Sequence, residues 1–146
     1  MEKNVKTLAK YLFTKGINSS LKIQKILFFL RVEELKSKNT INSFFKEKNN
    51  FQAWIYGPVN LESFLEMQKL FSHEEEKDIY ILDEETVNEI DQIYGQWLLK
   101  YENYAASTLV EMSHKNKAWI NARGDLDPDK PCKNYLVEDQ TFIEFE

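Results

Sequence analysis

A helix over residues 20–36 would be apolar on two nearly opposite faces, so other parts of the protein have to cover both. At 100° per residue the side chains form two stripes, one of Ile23, Ile26, Leu27 and Leu30 and the other of Leu21, Phe28, Val32 and Leu35. Ser19 or Ser20 supplies an N-cap for this segment. We therefore predict a buried helix at the centre of the fold.

The polar residues of this helix fall in the seams between the stripes, with Gln24 and Arg31 in one seam and Lys22 and Lys25 in the other. Basic residues with interspersed aromatics can contact a single nucleic-acid strand. The seams are narrow, however, and 19 basic against 24 acidic residues leave a net charge of −5. We therefore favour a buried helix with solvated lysine tips and keep nucleic-acid binding as an alternative.

Helical spacing of apolar residues continues along most of the chain, and four Gly with three Pro are too few for a hairpin-rich β architecture. The first predicted helix ends near Gly16, and another begins near Asn60. A long helix runs from an N-cap at Asp83 to about Tyr101. Two shorter helical segments cover about 105–112 and 119–123. A glycine inside a helix is unfavourable, so Gly95 suggests close packing at that point. The sequence predicts a mostly α-helical, single compact domain over residues 1–146, with about six or seven helices and one or two short extended segments.

The connections between these helices are less regular. Residues 51–59 (FQAWIYGPV) alternate with period two but have no obvious pairing partner, so we interpret them as a packed extended segment. Gly57 and Pro58 then make a turn and start the next helix. The preceding segment is polar, and three of its residues are expected to pin it against the core: Ile41, Phe44 and Phe45.

Charged residues cluster in the middle of the chain. Residues 73–78 predict a solvated loop, and 79–82 predict either a short strand or the approach to the next helix. The acidic runs 74–76 and 83–85 are more typical of solvated helix starts than of paired catalytic acids.

Residues that carry catalytic or metal chemistry are sparse. One Cys excludes an intramolecular disulfide framework and a multi-Cys zinc site, and His73 and His114 are far apart in the sequence. Nucleotide-binding glycine loops and the nucleophile elbow are absent. Cys132 with His114 remains a formal nucleophile–base pair and defines the enzymatic alternative. We expect no metal or cofactor and favour a binding role over an enzymatic one.

Hydropathy favours a protein outside the membrane. No apolar run approaches the ~18–20 residues of a membrane-spanning helix. The first residues, MEKNVKTLAKYLF, lack the apolar region of a secretory signal. We therefore expect a cytoplasmic protein.

Three separated segments resemble one family. Residues 21–29 (LKIQKILFF) resemble an L-K-L-Q-K-L-L-Y-F helix, and residues 53–59 (AWIYGPV) resemble an A-W-x-Y-G-P-V segment. The third segment runs from Tyr101 to Arg123 and is similar to a Y…L…(S/T)-H…W-x-x-A-R pattern. In their order and spacing, these three segments resemble the Panacea antitoxin domain, a family also described as SocA-like or phage-associated proteins.

The resemblance implies a function as well as a fold. It implies a mostly helical domain that neutralises a cognate protein toxin, encoded by an adjacent gene, through direct and chaperone-like contact. One branch of the family acts as a proteolytic adaptor, which implies an AAA+ protease as a further partner. The residues carried over as structural or partner-binding are Lys22, Gln24, Lys25, Trp54, Tyr56, Gly57, Pro58, His114, Trp119 and Arg123.

The aromatic residues of these segments allow two interpretations. Trp54, Tyr56 and Trp119 are the residue types that anchor protein interfaces. We favour a core position instead, with their polar atoms satisfied by Gln24, Arg31 or His114. The toxin surface is then expected on the faces with fewer residues of the three segments.

Overall fold

The computed structural model describes residues 1–72 and 81–146, in which it contains six α-helices and one two-stranded antiparallel sheet. The helices are α1 (Val5–Thr14), α2 (Ser20–Ser37), α3 (Leu61–Ser72), α4 (Glu84–Tyr101), α5 (Ala106–Ser113) and α6 (Lys117–Arg123). The strands are β1 (Phe51–Trp54) and β2 (Gly57–Asn60), and a short 3-10 helix covers Gln140–Ile143. The predicted mostly α-helical single domain is confirmed.

Helix α2 lies at the centre of the fold, as its two apolar faces predict. All residues from 23 to 32 are buried, and α2 packs against α1, α3, α4, α5, β2 and the 3-10 helix. Ser19 is its N-cap, with the side-chain oxygen accepting a hydrogen bond from the Lys22 amide at 3.2 Å. The second stripe is less well covered at its start, where Leu21 is 39 % exposed.

Side-chain caps set the starts of the other helices as well. Asp83 accepts a hydrogen bond from the Thr86 amide at the start of α4, which confirms the predicted cap. Asn60 plays the same part for α3 by accepting from the Ser63 amide at 2.9 Å. Gly16 follows α1 with a φ of 96°, in the conformation that glycine adopts most readily.

Two predictions about packing are wrong. A Cβ atom placed on Gly95 would meet no atom within 4 Å, so this glycine serves no close approach. Ile41 is 88 % exposed, whereas Phe44 and Phe45 are buried and do pin their loop. The reason in both cases is that residue type alone does not indicate which face of a segment has neighbours.

Residues 51–59 are extended as predicted, but they form a hairpin instead of leading into a helix. β1 pairs with β2 from Phe51–Asn60 to Trp54–Gly57, so the turn is made by Ile55 and Tyr56. Gly57 and Pro58 therefore begin β2, and α3 starts only at Leu61. On its other side β1 bonds to residues 134–136, with Ala53 N to Asn134 O and Leu136 N to Phe51 O both at 2.8 Å.

A buried charged network ties α2 to the end of the described chain. Arg31 donates to Glu34 at 2.8 Å and to both carboxylate oxygens of Glu138 at 2.8 and 2.9 Å. Glu34 also accepts from Ser43 and from the Tyr94 hydroxyl, at 2.6 and 2.8 Å. Because every member has a partner, this network fastens the loop before β1 to the central helix.

The predictions for 73–78 and the acidic run 74–76 lie outside the described residues, as do the first two residues of 79–82. Within 1–72 and 81–146, no helix is both long and apolar enough to cross a membrane.

Candidate partner-binding site

Side chains from α2 and α6, together with His114 directly after α5, hydrogen-bond to the backbone of the β1–β2 hairpin. The contacts to carbonyl oxygens are Arg123 Nη1 to Ala53 (2.9 Å), Trp119 Nε1 to Trp54 (2.9 Å), His114 Nε2 to Ile55 (2.9 Å) and Lys25 Nζ to Pro58 (2.6 Å). In addition, Gln24 Oε1 accepts from the Asn60 amide at 2.9 Å. We call Gln24, Lys25, His114, Trp119 and Arg123 the hairpin clamp.

The hairpin clamp unites residues that the sequence singles out in three separate segments. Gln24 and Lys25 come from the first segment, and His114, Trp119 and Arg123 come from the third. All of them except Gln24 bind the second segment, and Gln24 binds Asn60 directly after it. Gly57 and Pro58 belong to the clamped backbone itself, whereas Lys22 donates to the Glu102 carbonyl at 2.7 Å, away from the hairpin.

Gln24 and Lys25 occupy the outer edge of β2. The backbone N–H and C=O groups of Phe51 and Ala53 point towards residues 134–136 and away from β2. In an antiparallel pair the residues opposite them, Asn60 and Pro58, then point their own backbone groups away from β1. Gln24 and Lys25 bind those groups, and Gln24 Nε2 also donates to Ser63 Oγ at 2.9 Å. The edge of β2 is thereby closed to another strand.

Lys25 contradicts the predicted solvated lysine tip, because its side chain is 0 % exposed. The hairpin covers it, and helix periodicity does not reveal a covering segment that lies 33 residues away. Burial lowers the pKa of Lys25 to about 7, because the charged form loses its hydration. Among the described residues, no carboxylate forms a salt bridge with Lys25 that would offset this loss.

Gly57 makes the close approach of the clamp possible. Its φ of 108° lies in the region that favours glycine. A Cβ atom at this position would overlap Ser113 Oγ and would lie 3.0 Å from Lys25 Cε. Ser113 is therefore a site residue that the sequence analysis did not select, although it stands at the (S/T) position before His114 in the third segment.

An aromatic stack forms the far side of the clamp. The His114 ring stacks on Trp119 with a centroid distance of 4.5 Å, and the Arg123 guanidinium lies 5.3 Å from the Trp119 ring. Burial lowers the pKa of His114, and the nearby charges of Lys25 and Arg123 act in the same direction. A lowered pKa favours the neutral imidazole, whose Nε2–H donates to the Ile55 carbonyl.

The predicted core positions of the aromatic residues are correct only in part. Trp54 and Trp119 are half-buried, and Trp54 Nε1 donates to Gln52 Oε1 at 2.8 Å instead of to the predicted partners. Tyr56 is 65 % exposed at the tip of the hairpin. The predicted core position of Tyr56 is therefore wrong, because the tip of a hairpin extends beyond the helices that cover its base.

An open groove of about 510 Å³ lies between α2, the hairpin and the loop before residue 134. Its lining is mainly apolar and consists of Ser20, Leu21, Gln24, Lys25, Trp54, Ile55, Tyr56, Val59, Phe64, Pro131, Cys132 and Lys133. Residues of the first two resembling segments line the groove, and none of the third does. From the sequence, the partner surface is instead expected on faces with fewer residues of these segments.

Cys132 and His114 are not arranged as a nucleophile and its base. Cys132 is buried, with its Sγ 4.0 Å from the Ala122 carbonyl, while His114 Nε2 is engaged by Ile55. In the ranges 1–72 and 81–146, no group of three or more His, Cys, Asp or Glu residues is placed to hold a metal ion.

Comparison with known proteins identifies no relative of this chain. No protein-family model matches the chain, and no curated protein or solved structure matches it significantly. The contacts of the site and the residue patterns of the chain are therefore the basis for the function proposed below.

Proposed function

We propose that this chain is an antitoxin-like, protein-binding domain of the Panacea type that neutralises a cognate toxin by direct, chaperone-like contact in the cytoplasm. The observation that carries the proposal is the hairpin clamp. Residues that resemble the family pattern in three separate segments meet around one hairpin, with four side chains on its carbonyl oxygens. Chance similarity in three short segments gives no reason for their side chains to meet.

The surface beside the clamp supports a binding role. Tyr56 is exposed at the hairpin tip and Leu21 at the rim of the groove, next to a half-buried Trp54. Aromatic residues at the edge of an apolar groove are typical of the anchors of protein interfaces. The clamp holds the hairpin rigidly, which lowers the entropy lost when a partner binds.

The polar atoms of the site favour binding over catalysis. Lys25, His114 and Arg123 direct their donors at backbone carbonyls and so serve the position of the hairpin. Lys25 and Arg31 are also buried, which removes two of the three basic residues on which the nucleic-acid alternative depends.

Co-expression with the product of the adjacent gene tests the proposal. We expect the neighbour to inhibit growth when expressed alone, growth to recover when this chain is added, and the two proteins to co-purify. A harmless neighbour that forms no complex would contradict the antitoxin function.

The same strain separates sequestration from proteolytic delivery. If the chain is an adaptor, the half-life of the toxin should shorten when the chain is present and recover when the AAA+ protease is deleted. If it acts by sequestration, the toxin should accumulate in an inactive complex whether or not the protease is present.

A further inference from the structure

The groove beside the hairpin clamp is the largely apolar surface of this site, and its shape and chemistry limit what it can bind. Its volume of about 510 Å³ falls within the ~300–1,000 Å³ that is typical of ligand pockets. Leu21 and Tyr56 stand at its rim with 39 % and 65 % of their surfaces exposed. These two residues add exposed apolar surface at the edge of the groove.

The two buried polar side chains that line the groove, Gln24 and Lys25, are already engaged inside the protein. Gln24 uses its oxygen on Asn60 and its nitrogen on Ser63, and the ammonium of Lys25 binds the Pro58 carbonyl. Small-molecule sites usually contain several polar groups that converge on the ligand. The groove therefore fits apolar side chains of a protein better than a polar metabolite.

The backbone next to the groove is closed as well. Pro58 O and Asn60 N, the outward groups of β2, bind Lys25 and Gln24, so a partner strand finds no free hydrogen-bonding edge there. An occupant then has to bring its backbone hydrogen bonds with it. An α-helix does so, and it presents apolar side chains at i, i+3, i+4 and i+7.

The charged residues that line the groove indicate which charge the flank of the partner helix carries. The chain has a net charge of −5, yet the charged residues that line the groove are both lysines, Lys25 and Lys133. Lys25 is buried and engaged, whereas Lys133 is exposed and lies next to Pro131 and Cys132 at the groove wall. A partner with acidic residues beside its apolar face complements this charge.

We infer that the groove between α2, the β1–β2 hairpin and residues 131–133 binds an amphipathic helix of a partner protein, with Asp or Glu on the flank that faces Lys133. The inference rests on the proposed function for the identity of the partner, which is the toxin. The location and chemistry of the site follow from the groove itself.

A peptide-display selection tests the site without knowledge of the toxin. The full chain is immobilised, and the probe is a random library of peptides about five helical turns long, sufficient for helix formation. We expect the selected peptides to have apolar residues at i, i+3, i+4 and i+7 with acidic flanks. Period-two patterns, a lack of acidic residues, or no selected peptides at all would overturn the inference.

Variants then place the binding. Tyr56→Ser and Leu21→Ser should weaken binding of a selected fluorescent peptide about tenfold or more, as expected for interface anchors. The matched control is Leu99→Ser on α4, since Leu99 is 64 % exposed and lies outside the groove lining. Equal effects at Tyr56 and Leu99 would contradict the location of the site. Circular dichroism of each variant confirms that it is folded.

A charge reversal tests the flank. Lys133→Glu should weaken binding of the acidic peptide and strengthen binding of a version in which the acidic residues are replaced by Lys. Lys48→Glu, on an exposed loop, should change the binding of neither peptide. Identical effects of the two substitutions would overturn the assignment of Lys133.

The toxin assay distinguishes this inference from the proposed function. If the wild-type chain neutralises the toxin and Tyr56→Ser and Lys133→Glu neutralise it equally well, the function stands and the groove inference fails. If the selected peptides bind in the groove and the neighbouring gene product is harmless, the antitoxin proposal fails and the site stands. A dimer of the free chain that Tyr56→Ser dissociates would identify a second copy as the occupant and overturn the inference.

Discussion

The ammonium group of Lys25 lies 2.6 Å from the carbonyl oxygen of Pro58, in a buried space between α2 and β2. This hydrogen bond joins the central helix to the hairpin that forms one wall of the groove. It also places a titratable amine where its charged form is poorly solvated, which lowers its pKa to about 7. The residue that positions the hairpin therefore makes folding sensitive to pH.

Stability should rise with pH more steeply in the wild type than in Lys25→Met. The folded-state pKa of Lys25 is about 7, below its ordinary value of 10.5, so the unfolded chain binds more protons between these values. Between these two pKa values, the contribution of Lys25 to the free energy of unfolding increases by up to about 1.4 kcal/mol per pH unit. Urea unfolding at about pH 7.5, 8.5 and 9.5, above the ordinary range of histidine, measures the slope.

The control for this experiment is Lys48→Met, an exposed lysine whose replacement should leave the slope as in the wild type. If stability changes with pH in the same way in the wild type and in Lys25→Met, the pKa of Lys25 is not lowered in the folded protein.

Gly95→Ala should stabilise the protein by about 0.5–1 kcal/mol, because alanine is the better helix former. A Cβ atom there meets nothing within 4 Å and the φ of Gly95 is not positive. The increase in the urea midpoint at an unchanged m-value measures the effect.

Gly57→Ala is the matched opposite and should lower stability, since its Cβ would overlap Ser113 Oγ at a φ of 108°. If both alanine variants change the midpoint in the same direction, the contrast between the two glycines is wrong.

Arg31→Met should destabilise the protein by about 3–5 kcal/mol, because it leaves two carboxylates without their cation in a buried network. Arg31, Glu34 and Glu138 are nearly inaccessible, with side chains 4 %, 1 % and 3 % exposed. Chemical unfolding of Arg31→Met, of Glu138→Gln and of the double variant gives the coupling energy between the two residues. The double variant should recover part of the loss, and strictly additive losses would argue against direct pairing.

Leu27→Ala should cost about 2–5 kcal/mol, as expected for removing a large side chain from a core. Leu27 is 0 % exposed in the centre of α2. Lys48→Ala on the exposed loop should stay within about 0.5 kcal/mol of the wild type. Thermal or urea unfolding of both variants compares them directly, and equally small effects would contradict the central position of α2.

Local patterns predict the helices well because helix formation depends on neighbouring residues. The two stripes of α2 and the caps at Ser19 and Asp83 each involve residues three or four positions apart. The hairpin is harder to predict, since β2 consists of only the four residues 57–60 and includes a proline, which is unusual inside a strand. Its pairing is supported by side chains from distant helices that no local pattern contains.

The candidate site shows the same division. The residues of the hairpin clamp can be selected from the sequence, because they belong to three segments that resemble one pattern. Their roles cannot, since the pattern does not say that Lys25 is buried under the hairpin. Asn60 is missed as a site residue, because a buried polar residue that binds backbone looks like any loop residue. Ser113 is part of the third segment, but its close contact with Gly57 is visible only in the structure.

The central helix with two apolar faces, the helical class and most helix starts are predictable from the sequence, since they follow from the spacing of residues along one segment. The burial of Lys25 under a hairpin, the pairing of Arg31 with Glu138 and the groove beside Tyr56 are visible only in the folded protein. The contacts of Lys25 and Arg31 join residues 33 and 107 positions apart, respectively. Which distant segments meet depends on how the whole chain packs, and that packing sets the burial and charge of the site.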